Sequence, residues 1–232
     1  AYTDQTDVSP MTSFTAGSNF SNLALTTLVD PQAASSNYVV PHRFTGRISY
    51  GRDFIPGHET RFTAFMYRSQ GQPQSHVMSS ADLEGDGFFG RHQLYIPTLN
   101  DPNVVIGPQF DVNAWARFVE DQGYTQFAGG FVPRNENHAD WSSRVDIRID
   151  QELPLFFGTR ARAYLKVYNV LNMLNDSWGV QSDAQFFSQQ VVEMSLDDQG
   201  RYVFEDFSNR SITDLQENAT LYEVRMGLQF EF

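Results

Sequence analysis

The stretch Tyr222-Glu223-Val224-Arg225-Met226-Gly227-Leu228-Gln229-Phe230-Glu231-Phe232 alternates without a break. Tyr222, Val224, Met226, Leu228, Phe230 and Phe232 share one parity, and Glu223, Arg225, Gly227, Gln229 and Glu231 share the other. Successive side chains of a strand point to opposite faces, so this segment is a strand with one apolar and one polar face. Upstream, Val145, Ile147 and Ile149 oppose Arg144, Asp146, Arg148 and Asp150, while Ala161, Ala163, Leu165 and Val167 oppose Arg160, Arg162, Tyr164 and Lys166. Phe44, Ile48 and Tyr50 oppose Arg43, Thr45, Arg47 and Ser49; Phe62, Ala64 and Met66 oppose a mixed row of Arg61, Thr63, Phe65 and Tyr67. Shorter candidates at 190–196 and 201–207 flank Asp197-Asp198-Gln199-Gly200, a composition suited to a tight hairpin. With a stub at 1–8, the pattern predicts about eight strands.

The connections fall into two kinds. Short ones at 55–59, 153–159 and 197–200 alternate with long ones at 12–41, 70–140, 173–185 and 208–220. Alternate links of an up-and-down barrel lie on the same rim, and outer-membrane barrels pair short periplasmic turns with long extracellular loops. The predicted fold is therefore all-β, an antiparallel up-and-down transmembrane barrel, with the last strand ending at the periplasmic rim. Tyr50, Phe54, Tyr164, Tyr168, Tyr222 and Phe230 recur near strand ends, as interfacial aromatics do.

Composition agrees with this class. The 232 residues include 20 Phe and 10 Tyr and no Cys, while the mean hydropathy is −0.41. No run of about 18 apolar residues is present to form a membrane helix. Without Cys, a disulfide framework and Cys-ligated zinc drop out. A net charge of −12 argues against a nucleic-acid partner, since neutralising phosphates needs a basic surface. The opening Ala1-Tyr2-Thr3-Asp4-Gln5 reads like the interior of an element, as in a piece of a longer precursor.

A connection as long as 70–140 should carry structure of its own. Asp111 can cap a helix over 112–122, with Trp115, Phe118 and Val119 on one face and Gly123 as its stop. Within the same loop, Asp82, Glu84 and Asp86 alternate, Gly87 stands in sixth place and the carbonyl of Phe88 in seventh, which is half of a calcium loop. The twelfth position is Gln93, not the bidentate Glu of an EF-hand, so a structural calcium and a solvated acidic turn both fit.

Several stretches together resemble the C-terminal ends of Oar-like TonB-dependent receptors. They are HRFTGRISY (42–50), ADLEGDG (81–87), LYIP (94–97), NDPNVV (100–105), FVPRNEN (131–137), VDIRIDQELP (145–154), YNVLNMLNDSWG (168–179) and YEVRMGLQFEF (222–232). Together the matches reach from about Asp4 to Phe232, essentially the whole of residues 1–232. It implies the closing part of a barrel of about 22 strands around an N-terminal plug, acting as an outer-membrane active transporter driven through the TonB complex. Phe232, with Phe230 and Leu228, resembles the signal read by the outer-membrane assembly machinery. Outer-membrane lipid, the remaining strands and the plug are the implied partners; no TonB box or plug lies in these residues.

The alternative is a self-contained eight-stranded barrel serving as adhesin or anchor. In it residues 1–8 would pair with the last strand and face lipid, yet both faces of the stub are polar, and a charge at mid-bilayer costs about 2–4 kcal/mol. A soluble sandwich and a lectin-like module are poorer readings. An enzyme is not expected: His42, His58, His76, His92 and His138 lack ligand spacing, no G-x-S-x-G occurs, and no required cofactor is implied. Arg144, Asp146, Arg148, Arg162, Lys166, Glu223 and Arg225 are expected to share the lumenal face.

Overall fold

A computed structural model describes residues 1–79, 82–83, 85–154, 160–184, 187–208 and 213–231. In chain order the elements are β1 (Thr6–Asp7), α1 (Ala16–Ser21), β2 (Ala34–Ser35), β3 (Arg43–Ile55), β4 (His58–Ser69), β5 (Pro73–Ser79), β6 (His92–Gln93), β7 (Tyr95–Ile96), β8 (Val104–Ile106) and α2 (Val112–Asp121). A 3-10 turn at Tyr124–Phe127 follows, then β9 (Gly130–Phe131), β10 (Asn137–His138), β11 (Ser142–Leu153), β12 (Arg160–Tyr168), α3 (Val170–Leu174), β13 (Ser182–Ala184), β14 (Ser188–Leu196), β15 (Tyr202–Phe207), β16 (Thr213–Leu215), α4 (Glu217–Thr220) and β17 (Glu223–Glu231). The class is mostly β. No described helix is long and apolar enough to cross a membrane.

The long strands form one antiparallel meander, β17-β12-β11-β4-β3. Its short links are the β3–β4 hairpin, where Pro56 presets the turn and Gly57 takes the positive φ of 77° that a side chain would resist, and the link from β11 to β12. Register carries the alternation across all five strands. Gly46 pairs with Met66 and Met66 with Val145; Ile48 with Ala64 and Ala64 with Ile147; Tyr50 with Phe62 and Phe62 with Ile149. Ile149 then pairs with Leu165 and Leu165 with Met226. Paired residues share a face, so each apolar row meets an apolar row.

The second sheet is mixed, in order β10-β5-β14-β15-β8 with β6 beside β5; β14 runs parallel to β5 and β15 parallel to β8. It holds the core. Met78, Leu94, Phe110, Trp115, Phe118, Tyr124, Val192, Met194 and Phe204 pack together there, with α2 laid over the sheet. Asp111 caps α2 by accepting from the amides of Asn113 (3.0 Å) and Ala114 (2.9 Å), and Gly123 stops it with φ 71°. In the five long strands only Ala161 is a buried hydrophobic residue.

Two expectations are corrected. The segments at 190–196 and 201–207 do pair through the turn at 197–200, but as β14 and β15 of the second sheet, so the long sheet has five strands rather than about eight. Both of these strands bury apolar residues against α2 and its neighbours, and a tight turn by itself does not reveal which sheet it closes. The stub at 1–8 is not a long strand: residues 1–3 run beside 41–43, and Thr6–Asp7 pair with Ala34–Ser35. Three short helices, α1, α3 and α4, accompany the one expected at 112–122. Alternation of link length survives within the five-stranded sheet, because 173–185 and 208–220 both belong to one long excursion between β12 and β17.

Candidate functional site

The long sheet is two-sided. On one face Phe44, Ile48, Tyr50, Phe54, Phe62, Met66, Leu165, Val224, Met226, Leu228 and Phe230 are all exposed, Ile48 at 64% and Met226 at 78%. From Phe44 to Phe54 this band runs roughly 33 Å along the strand at about 3.3 Å per residue. At the usual tilt of about 40° that spans a height close to the 25 Å apolar belt of outer-membrane barrels. In water each such side chain would forgo about 1.5–3 kcal/mol of burial. Apart from Trp141 beside Phe44 and Leu171 near Phe44 and Met66, nothing else in the described chain lies against them.

The opposite face is a lattice of charge and aromatic rings. Arginines pair with carboxylates two residues away on their own strands: Arg144 with Asp146 (2.8 Å), Arg148 with Asp150 (2.6 Å), Arg61 with Glu59 (2.7 Å) and Arg225 with Glu223 (2.5 Å). Arg162 reaches Glu152 across the β11–β12 pair at 3.3 Å. Tyr168 lies under three cations, with Lys166 at 3.8 Å, Arg225 at 5.0 Å and Arg144 at 5.4 Å from the ring centroid, and Arg148 sits over Tyr164 at 4.8 Å. The expected lumenal set of Arg144, Asp146, Arg148, Arg162, Lys166, Glu223 and Arg225 thus shares one face. Tyr164 and Tyr168 belong to it as well, so they are not aromatics of the apolar face; their even positions on β12 put them with the charges.

At the end of the sheet carrying the long links, buried polar residues fasten the connections. Asn169 follows β12 with φ 50°, and its Nδ2 donates to the carbonyls of Gly179 (2.9 Å) and Thr220 (2.5 Å), while its amide donates to Asp146 (3.0 Å). Within FVPRNEN, the Arg134 guanidinium donates to the Asp7 carbonyl (2.6 Å) and carboxylate (2.8 Å), and Asn135 Nδ2 donates to the Ser35 carbonyl and to Asn37. Chain segments far apart in sequence are thereby held together. These roles were invisible to periodicity, although the Asn-rich motifs that contain them stood out.

The acidic loop is arranged as a capped turn. Asp82 accepts from the amides of Asp86 (3.1 Å) and Gly87 (2.8 Å), and Asp86 accepts from the amide of Phe88 (3.1 Å) and pairs with Arg91. Arg91 is 1% exposed, lies between Phe20 and Phe88, and donates to the Phe20 carbonyl. The carboxylate oxygens a cation would use thus have partners from the chain. Glu84 lies outside the described residues, and among those described no group of three or more His, Asp or Glu is placed to hold a metal. Of the terminal residues, Leu228 and Phe230 occupy the apolar face of β17, while Phe232 lies outside the described residues.

His76 is buried between Tyr124, whose hydroxyl is 2.6 Å from Nδ1, and Gln189, whose Oε1 is 3.1 Å from Nε2. Burial lowers its pKa to about 4, against a smaller upward pull from Gln189, so the ring is neutral near pH 7. The Gln189 oxygen requires the proton on Nε2, leaving Nδ1 to accept from Tyr124. Burial also raises the Tyr124 hydroxyl. This triad joins β5 and β14 to the 3-10 turn that follows α2.

No protein-family model matches the chain, and comparison with curated proteins and with solved structures found no relative.

Proposed function

We propose that the chain forms a wall segment and extracellular cap of an outer-membrane β-barrel transporter of the TonB-dependent kind. The observation that carries this reading is the long sheet, one face predominantly apolar and largely exposed, with Arg52 and Arg68 towards its two ends, the other charged. Lipid is the solvent for the first face and a water-filled lumen or a plug for the second.

The sheet is also open. β17 and β3 each have one partner among the described strands, and long unpaired edges are templates for further strands. Five strands fall short of the eight found in the smallest such barrels, which favours a larger barrel over the self-contained adhesin or anchor. Residues 1–3 already run antiparallel to 41–43, so the edge of β3 is in register for another strand. Energy coupling through TonB, a plug and recognition by the assembly machinery rest on the sequence resemblance.

The test places a charge on the apolar face. Met226→Arg should sharply lower the folded fraction in outer membranes, by about 2–4 kcal/mol at mid-bilayer, whereas Arg225→Met on the opposite face should be mild. In a soluble protein an arginine at so exposed a position would be innocuous. Equal behaviour of the two variants, or a folded wild-type monomer soluble without detergent, would overturn the proposal.

A further inference from the structure

Arg68 lies on the wrong face for a lumenal charge. It pairs with Phe44 on one side and Ser143 on the other, so it continues the row Phe62, Ala64, Met66 on the apolar face. Its guanidinium makes no ion pair among the described residues. It sits instead 5.1 Å over the Trp141 ring, which is 40% exposed and stacks on His42 and Phe44. Below it a groove of about 490 Å³ is lined by Phe44, Gly46, Met66, Val145 and Leu171, with Arg68 at its edge. Gly46 keeps the groove open, because a Cβ there would stand 3.3 Å from the Met66 methyl.

An exposed cation above a largely apolar slot, whose other lining cation, Arg144, is already paired with Asp146, has the chemistry of a lipid site. We propose that Arg68 and Trp141 bind the phosphate end of an anionic membrane lipid, with an acyl chain lying along the Gly46–Met66–Val145 groove. This rests on the reading of the apolar face as lipid-facing, and the rim of the long links places the site in the outer leaflet. The guanidinium supplies charge-assisted hydrogen bonds to phosphate oxygens, and the indole holds it in place at the interface. In hydrocarbon an unpaired arginine is unfavourable, so a phosphate partner stabilises this rim.

The test uses the protein in detergent micelles doped with acyl-brominated phosphatidylglycerol or phosphatidylcholine, reading tryptophan quenching in a Trp178→Phe background, where Trp141 is the exposed fluorophore and buried Trp115 supplies a constant baseline. Phosphatidylglycerol should reach half-quenching at a mole fraction about five-fold lower, the size of a favourable exposed ion pair. Arg68→Gln should abolish that preference, and Arg68→Lys should retain most of it. Equal quenching by both lipids in the wild-type arginine protein would overturn the site while leaving the lipid-facing sheet intact. A preference that persists in Arg68→Gln, or that excess inorganic phosphate erases, would also overturn it. Absence of quenching by either lipid would overturn both this inference and the membrane reading beneath it.

Discussion

Tyr164 lies across Gly227. The two residues are paired between β12 and β17, and a Cβ at Gly227 would meet the Tyr164 ring and hydroxyl at 2.7–2.9 Å. The ring covers the glycine and receives the Arg148 guanidinium at 4.8 Å. Glycine otherwise weakens a strand, and an aromatic laid over it restores packing. Gly227→Val should therefore displace Tyr164, break its contact with Arg148 and destabilise the pairing of β17 by about 1–3 kcal/mol, as overpacking does. Heat-modifiable migration of the folded protein measures this, and Tyr164→Ala should relieve most of the effect. If Gly227→Val alone left the midpoint unchanged, the covering role would be wrong.

Asn169→Ala should loosen the connection from β12 to β17. It removes donors to the Gly179 and Thr220 carbonyls and puts a Cβ-bearing residue without Asn's local bonding at φ 50°. The Gly179 carbonyl keeps Gln181 Nε2 at 3.2 Å, so one buried acceptor, the Thr220 carbonyl, is left unpaired, which implies a loss of about 1–3 kcal/mol. Asn169→Gly relaxes the backbone but still lacks the hydrogen bonds, so it should recover only part. Hydrogen exchange at residues 179–181 and 217–221 reads the opening directly.

Asp86→Ala should destabilise the acidic loop by about 3 kcal/mol, because it strands the buried Arg91 guanidinium. The double variant Asp86→Ala with Arg91→Met should regain much of that loss by removing the uncompensated charge. Limited proteolysis with calcium and with chelator separates this role from metal binding. Protection by calcium that disappears in Asp86→Ala would point to the half calcium loop instead.

The second sheet should weaken in acid through His76. Its folded pKa, about 4, lies below the ordinary 6.5, so the unfolded state takes up the proton first. Stability is thus complete above pH 6.5 and falls as pH drops towards 4, by up to about 3 kcal/mol at 1.4 kcal/mol per unit. His76→Gln should flatten that slope. Hydrogen exchange of β5 and β14 between pH 7 and pH 4.5 checks it.

On the proposed outer-membrane reading, in which the terminal aromatic is the assembly signal, Phe232→Ser should reduce assembly far more than Glu231→Ser. The amount of folded protein in outer-membrane fractions is the measure. Normal assembly of Phe232→Ser would remove that role.

Alternation alone determined which face each residue of β3, β4, β11, β12 and β17 occupies, because parity along an extended chain is a local property that any register must respect. Local sequence was also sufficient for α2, whose cap at Asp111 and stop at Gly123 are local signals. Extending the row Phe62, Ala64, Met66 by one step would have reached Arg68. Tertiary structure alone decided that β14 and β15 leave the long sheet: their apolar residues meet α2, and contact with a helix some eighty residues away leaves no mark on a strand's own period. The same holds for Arg91, Arg134, Asn135 and Asn169. A buried polar side chain is stabilised by the particular partners it finds, and those partners come from distant parts of the chain that only folding brings within hydrogen-bond reach.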